Sequence, residues 1–177
     1  MWKKISQYYS PIVDIVTFSI YVYSLIYIIY FYGQLPDQIP NHFNLAGEVT
    51  STSGKPMLVG LFILYSSMLM TMFSLNYFLL MKPDPSREML NYINVPFIKK
   101  DKVTDSQLPI IQAFSARLFA YMTLFLSLLF GMLITGMIQV GLGEKEGLGY
   151  SVMVVVILVV ILPIVYMWFM YRALKEE

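Results

Sequence analysis

The chain has 177 residues, of which 58% are hydrophobic and 13% charged, and its formal net charge is +1. With a mean hydropathy of +0.65, this balance excludes an ordinary soluble domain and gives no signal for nucleic-acid binding. Cysteine is absent, which excludes disulfides, thiol nucleophiles and cysteine-based metal sites. The composition therefore predicts an integral membrane protein whose first partner is the lipid bilayer.

Four apolar stretches approach or exceed the roughly 20 residues that cross a ~30 Å hydrocarbon core. Backbone groups that face lipid must be satisfied within one segment, so each stretch is expected to be a helix. The first stretch is too long for a signal-peptide core and lacks an Ala-x-Ala-like cleavage site, so we interpret it as a retained span. The sequence thus predicts an all-α membrane domain of four transmembrane helices over residues 1–177, with spans at residues 11–33, 57–81, 118–140 and 150–171.

Three polar residues lie at a similar depth in or beside the first three spans. Asp14 lies about one helical turn inside the first span, Asn76 a little over one turn before the end of the second, and Arg117 directly before the third. A charge inside a span is costly unless it is paired or reaches the headgroups. We expect Asp14 to contact Arg117 with Asn76 nearby; the alternative is that each side chain reaches the interface separately.

The loop at residues 34–56 joins the first two spans and contains the only histidine, His42. Pro36 and Pro40 fix φ near −65° and stiffen the backbone, and Gly47 permits a positive φ. We interpret His42, Phe43, Asn44 and Asp37 as candidate ligand-binding residues, because loops on rigid scaffolds often carry recognition.

Two other interpretations of this loop remain open. In the structural one, His42 and Asn44 hydrogen-bond the backbone that shapes the loop, and Phe43 packs onto the helix ends. In the other, His42 joins carboxylates and amides around a divalent metal, but a catalytic zinc site needs at least three protein ligands and the chain has one histidine and no cysteine. We therefore predict no metal.

The segment at residues 82–117 carries five lysines and arginines ahead of Arg117, whereas the loops at 34–56 and 141–149 carry one each. By the positive-inside rule, this segment and both termini are expected in the cytoplasm, and the loop of His42 is expected outside. A capping-box pattern from Thr104 to Gln107 and an early Pro109 predict that the third helix starts two or three turns before its apolar run.

The pattern Leu35-Pro36-Asp37-x-Ile39-Pro40-x-His42-Phe43-Asn44-x-x-Gly47 resembles the signature loop of a bacterial membrane domain of unknown function that also occurs in Sdp-type immunity proteins. Asn94-Val95-Pro96 and Thr104 are similar to a second motif in the family's cytoplasmic loop. Thr50 and Thr52 depart from the acidic and aromatic residues that are common in the family. The resemblance implies a four-span protein of the bacterial plasma membrane.

The resemblance also implies a function, namely immunity to an antimicrobial peptide or protection against envelope stress. A small-solute or ion transporter and a structural partner subunit of a membrane complex are the alternatives, and the oligomeric state is open. We predict no enzyme activity and no cofactor, because the sequence has neither a nucleophile elbow, nor a metalloprotease motif, nor a phosphate-binding glycine loop. A peptide toxin or another membrane protein is the partner that this interpretation favours.

Overall fold

Helices make up most of the computed structural model, which describes residues 2–93 and 99–176. Four of them are long and apolar enough to cross a membrane, as expected of a multi-pass membrane protein. A short helix, α1 (Trp2–Ile5), precedes them, and three short 3-10 turns lie at Arg87–Asn91, Lys100–Lys102 and Asp105–Gln107. The long helices are α2 (Ile12–Phe31), α3 (Pro56–Leu75), α4 (Leu108–Gly141) and α5 (Tyr150–Lys175).

The helix boundaries follow local signals in the sequence. Helix α3 starts with a proline in its first turn and continues as a π-helical segment, Asn76–Met81. Before α4, Thr104 and Gln107 form the capping box that the sequence predicts, with the Thr104 amide donating to Gln107 Oε1 at 3.1 Å. Helix α4 therefore begins at Leu108, ten residues ahead of the predicted apolar span.

The loop between α2 and α3 is not irregular but folds into an antiparallel hairpin. Its strands are β1 (Gln38–Phe43) and β2 (Val49–Gly54). The fold is thus mostly helical rather than all-α, and the expectation of an all-α chain is wrong in this segment. The hairpin escaped prediction because its strands are only six residues long and β1 contains Pro40, which weakens a strand pattern.

Helix α4 packs against α2, α3 and α5 and forms the centre of the bundle. Small residues allow the helices to approach closely. A β-carbon added to Gly131 of α4 would lie 2.8 Å from Ile20 Cγ2 of α2. A core of buried side chains then extends from the helices into the hairpin, including Ile28, Ile39, Leu58, Tyr65 and Ile134.

The bundle has two distinct ends. The hairpin and the loop between α4 and α5 meet at one end, which we call the hairpin end, where Glu48 forms a β-bridge with Gly147. Helix α1 and the last turn of α5 lie at the other, which we call the terminal end. There, Lys4 Nζ donates to the carbonyl oxygen of Lys82 at 2.6 Å, and Gln107 Nε2 donates to that of Leu174 at 2.9 Å.

Candidate functional site

Most of the loop residues that the sequence singles out lie in the hairpin, between Gln38 and Gly54. Its register pairs Pro40 with Thr52, His42 with Ser51 and Phe43 with Val49, with irregularities on both sides of His42. Such irregularities redirect side chains away from strict alternation. They bring His42 and Ser51 side by side although nine positions separate them in the chain.

The base of the hairpin is fixed to the helix ends. Ile39 is 0% exposed and Leu35 4%, and both pack where a β-carbon on Gly141 of α4 would stand, at 3.1 Å from Leu35 Cδ2 and 3.3 Å from Ile39 Cγ2. Lys55 closes the base, since its backbone amide donates to the Asp37 carbonyl at 3.0 Å and its Nζ to the Leu35 carbonyl at 3.2 Å. The hairpin is therefore continuous with the helical core.

The turn of the hairpin is built by Asn44 and Gly47. Asn44 Oδ1 accepts the amides of Ala46 at 2.9 Å and Glu48 at 3.0 Å, and its Nδ2 donates to Glu48 Oε2 at 2.7 Å. Gly47 has φ of 81°, the positive value that its place in the turn predicts. The polar atoms of Asn44 thus serve the turn, which is the structural role considered for this residue.

The tip of the hairpin is docked on the loop between α4 and α5. The Leu148 amide donates to the Gly47 carbonyl at 2.9 Å, and a β-carbon on Gly47 would lie 2.8 Å from the Gly149 amide nitrogen. The two loops are therefore in backbone contact, with no room for a side chain between them.

The ring of Phe43 is partly buried and packs against the core cluster at the hairpin end. Pro40 is buried and Pro36 exposed. Asp37 projects outward, with 98% of its side chain exposed and its carboxylate 3.8 Å from Lys55 Nζ; an exposed pair at this distance contributes little to stability.

An exposed polar group remains on the outer side of the hairpin. Ser51 Oγ donates to Asn41 Oδ1 at 2.5 Å and lies 3.1 Å from His42 Nδ1. We call these three residues the hairpin polar cluster. Their side chains are bonded to one another and none of these contacts ties them to the helices, so they are available for a ligand. Sequence reasoning named His42 but missed Ser51, because only the strand register brings the two together.

Metal binding finds no support in the part of the chain that the structure describes. No group of three or more His, Cys, Asp or Glu side chains there could hold a metal ion. The carboxylate of Glu48 instead accepts a hydrogen bond from Asn44.

Comparison with known proteins gives one match. Residues 20–69 match a domain of unknown function, DUF1648. No curated protein and no solved structure matches the chain. The DUF1648 segment runs from Ile20 in α2 through the whole hairpin to Leu69 in α3. The match supports a membrane-type domain family whose function is unknown, and the matched segment has the hairpin near its middle. Asn94-Val95-Pro96, the second motif of the resemblance, lies outside the described residues.

Asp14, Asn76 and Arg117 lie outside the DUF1648 segment, at the terminal end. The expected direct contact between Asp14 and Arg117 is not formed: among residues 2–93 and 99–176, the ion pairs are Lys55–Asp37 and Arg87–Asp105. The reason is that residues 8 and 9, just ahead of α2, form separate hydrogen bonds with Arg117 and Asp14.

Tyr9 is the partner of Asp14. Its hydroxyl lies 3.2 Å and 3.3 Å from the two carboxylate oxygens, and Asn76 Nδ2 lies 3.5 Å from the same hydroxyl. Burial raises the pKa of the Tyr9 hydroxyl above its ordinary value, and the Asp14 charge raises it further. Tyr9 therefore stays protonated at neutral pH and donates to Asp14. Arg117 Nε instead donates to the Tyr8 carbonyl at 2.6 Å.

Polar side chains inside the bundle join helices to one another. Tyr65 of α3 is hydrogen-bonded to Ser127 of α4, and Ser127 Oγ donates to the Thr17 carbonyl of α2 at 3.2 Å. Thr17 Oγ1 and Ser24 Oγ donate to carbonyls one turn earlier in their own helix, each at 2.8 Å. These groups are satisfied by the protein itself, which is the usual role of hydroxyls between membrane helices.

Proposed function

We propose that this chain is a multi-pass protein of the bacterial plasma membrane that recognises a cationic antimicrobial peptide at the outer surface and thereby protects the cell. The observation that carries the proposal is the hairpin polar cluster, an exposed group of side chains on a hairpin fixed at its base and at its tip. A platform held in this way loses little conformational freedom when a ligand binds.

Charge supports a cationic ligand. The two connections at the hairpin end contain four carboxylates and two lysines: Asp37, Glu48, Glu144 and Glu146 against Lys55 and Lys145. Carboxylates therefore outnumber lysines by two at this end. Complementary charge accelerates the encounter with an oppositely charged partner and suppresses the wrong ones. The DUF1648 match, whose segment contains the entire hairpin, supports the hairpin as the functional part.

The structure divides the four candidate residues into two kinds. Phe43 packs on the core, and Asn44 bonds within the turn. His42 and Asp37 face outward. We therefore assign recognition to His42 together with Asn41 and Ser51. Asp37 belongs to the acidic surface around them. The residues that hold the hairpin in place are Phe43, Asn44, Pro36, Pro40 and Gly47.

Transport and catalysis have less support. The buried hydroxyls of Thr17, Ser24 and Ser127 are hydrogen-bonded to backbone carbonyls, so they offer no chain of free groups for an ion. A serine beside a histidine is also an arrangement found in hydrolases. However, Ser51 donates to Asn41 and is exposed on the hairpin, whereas a hydrolase nucleophile acts in a water-excluded site with preorganised donors.

Two experiments test the proposal. First, cysteine accessibility fixes the orientation, since the chain has no cysteine of its own. His42→Cys should react with an impermeant reagent applied to intact cells, and Lys99→Cys should react only after lysis. Labelling of Lys99→Cys from outside would show that the protein has the opposite orientation. The hairpin could then not recognise a peptide at the outer surface.

Second, susceptible cells that express the protein should survive a cationic amphipathic peptide better than cells with an empty vector. Neutralising the exposed Glu144 and Glu146 with the double change to Gln should reduce survival, because it removes the attraction. Glu88→Gln, at the other end of the molecule, is the matched control and should have no effect. Equal survival of all strains would exclude peptide immunity.

A further inference from the structure

A second site lies at the terminal end, between α4 and α5 and far along the chain from the DUF1648 segment. It is a cavity of about 560 Å³ whose walls include Phe114 and Arg117 of α4 and Tyr166 and Arg172 of α5. Two arginines therefore line one cavity together with aromatic residues. None of these residues contributes to the hairpin polar cluster.

The charge in this cavity is not neutralised within the described chain. The two ion pairs of residues 2–93 and 99–176 lie elsewhere, so neither arginine has a carboxylate of another described residue within 4.0 Å. Glu176 also lines the cavity, which leaves a net charge of +1. Arg117 is held by its bond to the Tyr8 carbonyl and lies 5.9 Å from the Phe114 ring, and Arg172 lies 5.1 Å from the Trp168 ring.

An apolar cavity adjoins the charged one. It has a volume of about 170 Å³ and shares Phe114 and Tyr166 as walls. Its other walls include Leu118 of α4, Met167 and Met170 of α5, and Tyr92 and Ile93 from the connection that precedes α4. A charged compartment followed by an apolar one, at the end of two membrane-type helices, matches the two parts of a phospholipid.

We propose that this site binds one anionic phospholipid, with its phosphate between Arg117 and Arg172 and the start of an acyl chain against Phe114 and Tyr166. Guanidinium groups suit the site because they hold phosphate oxygens through two parallel hydrogen bonds and also stack on aromatic rings. Basic pockets between membrane helices are a known setting for anionic headgroups. The lipid would join α4 to α5 at the terminal end.

Native mass spectrometry of the purified full chain in neutral detergent tests this. Phosphatidylglycerol and phosphatidylcholine with the same acyl chains are titrated separately, and inorganic phosphate is added as a soluble competitor. We expect one phosphatidylglycerol to bind at concentrations where phosphatidylcholine does not. Millimolar phosphate should not displace it, because the acyl chain contributes to binding.

Variants locate the site. Arg172 is exposed, so Arg172→Gln should fold normally and weaken phosphatidylglycerol binding about fivefold, the equivalent of ~1 kcal/mol for one basic residue at a membrane surface. Arg172→Lys should retain part of the affinity. Lys175→Gln is the matched control, since it removes the same charge from the same helix end but does not line the cavity.

Three results would overturn the proposal. Equal binding of the two lipids would mean that charge is not recognised. An equal loss in Arg172→Gln and Lys175→Gln would indicate a general attraction rather than this cavity. Displacement by inorganic phosphate would show a site for free phosphate. Melting temperatures of the variants, measured without added lipid, separate loss of binding from loss of folding.

Discussion

Replacing Gly47 with alanine should release the tip of the hairpin from the loop between α4 and α5. Two effects add. Gly47 has φ of 81°, and a left-handed conformation costs a non-glycine residue about 1–2 kcal/mol. The new β-carbon would also lie 2.8 Å from the Gly149 amide nitrogen, so the loops must separate and the hydrogen bond from Leu148 to Gly47 is lost, at about 0.5–1.5 kcal/mol. We expect the free energy of unfolding to fall by about 1.5–3.5 kcal/mol.

Two other glycines separate these effects. Gly143 has φ of 76° but open space around its β position, so Gly143→Ala should show only the conformational cost of about 1–2 kcal/mol. Gly33 has neither a positive φ nor a neighbour within 4 Å, so Gly33→Ala should stay within about 0.5 kcal/mol of the native chain.

Denaturant titration in detergent measures the three stabilities, and hydrogen exchange reports the Leu148 amide. The amide should exchange faster in Gly47→Ala alone. If Gly47→Ala were no less stable than Gly143→Ala, and Leu148 stayed protected, the docking of the two loops would be refuted.

Three further predictions concern the bundle. In a double-mutant cycle by denaturant titration, Asp14→Asn and Tyr9→Phe should couple by about 1.5–3 kcal/mol, as for a hydrogen bond to a charged group. The effects of Asp14→Asn and Arg117→Gln on the free energy of unfolding should be additive within about 0.5 kcal/mol. Strong coupling between them would indicate a direct ion pair. Gly131→Val should cost about 1–3 kcal/mol through overpacking between α2 and α4; an unchanged melting temperature would contradict the close approach. Tyr65→Phe should cost about 0.6 kcal/mol, the average for a hydrogen bond between membrane helices, and a stability gain would argue against that bond.

The helices could be predicted from the sequence because their signals are local. Length and apolar composition define the four spans, and the capping box at Thr104 and Gln107 places the start of α4. The positive φ of Gly47 follows from its position in a polar turn. In each case, the residues that decide the structure are neighbours in the chain.

The hairpin and the partners of the buried charges could not be predicted, because they depend on contacts across the chain. The pairing of His42 with Ser51 follows from a strand register with irregularities. The docking of Gly47 on Leu148 joins residues about a hundred positions apart. We expected Asp14 to contact Arg117 at the start of another span, but Tyr9, only five positions earlier, supplies its hydrogen bond.

The hairpin polar cluster is central to the proposed function, and His42→Ala tests it most directly. His42 is exposed, and its side-chain contact is with Ser51, so its loss should change the free energy of unfolding by no more than about 0.5 kcal/mol. Phe43→Ala, which removes a ring packed on the core, is the comparison for a structural residue and should lower stability. Survival against the cationic peptide and melting temperature are measured on the same variants. The account predicts that His42→Ala loses protection at an unchanged melting temperature; full protection in His42→Ala, or a loss of protection matched by a loss of stability, would contradict it.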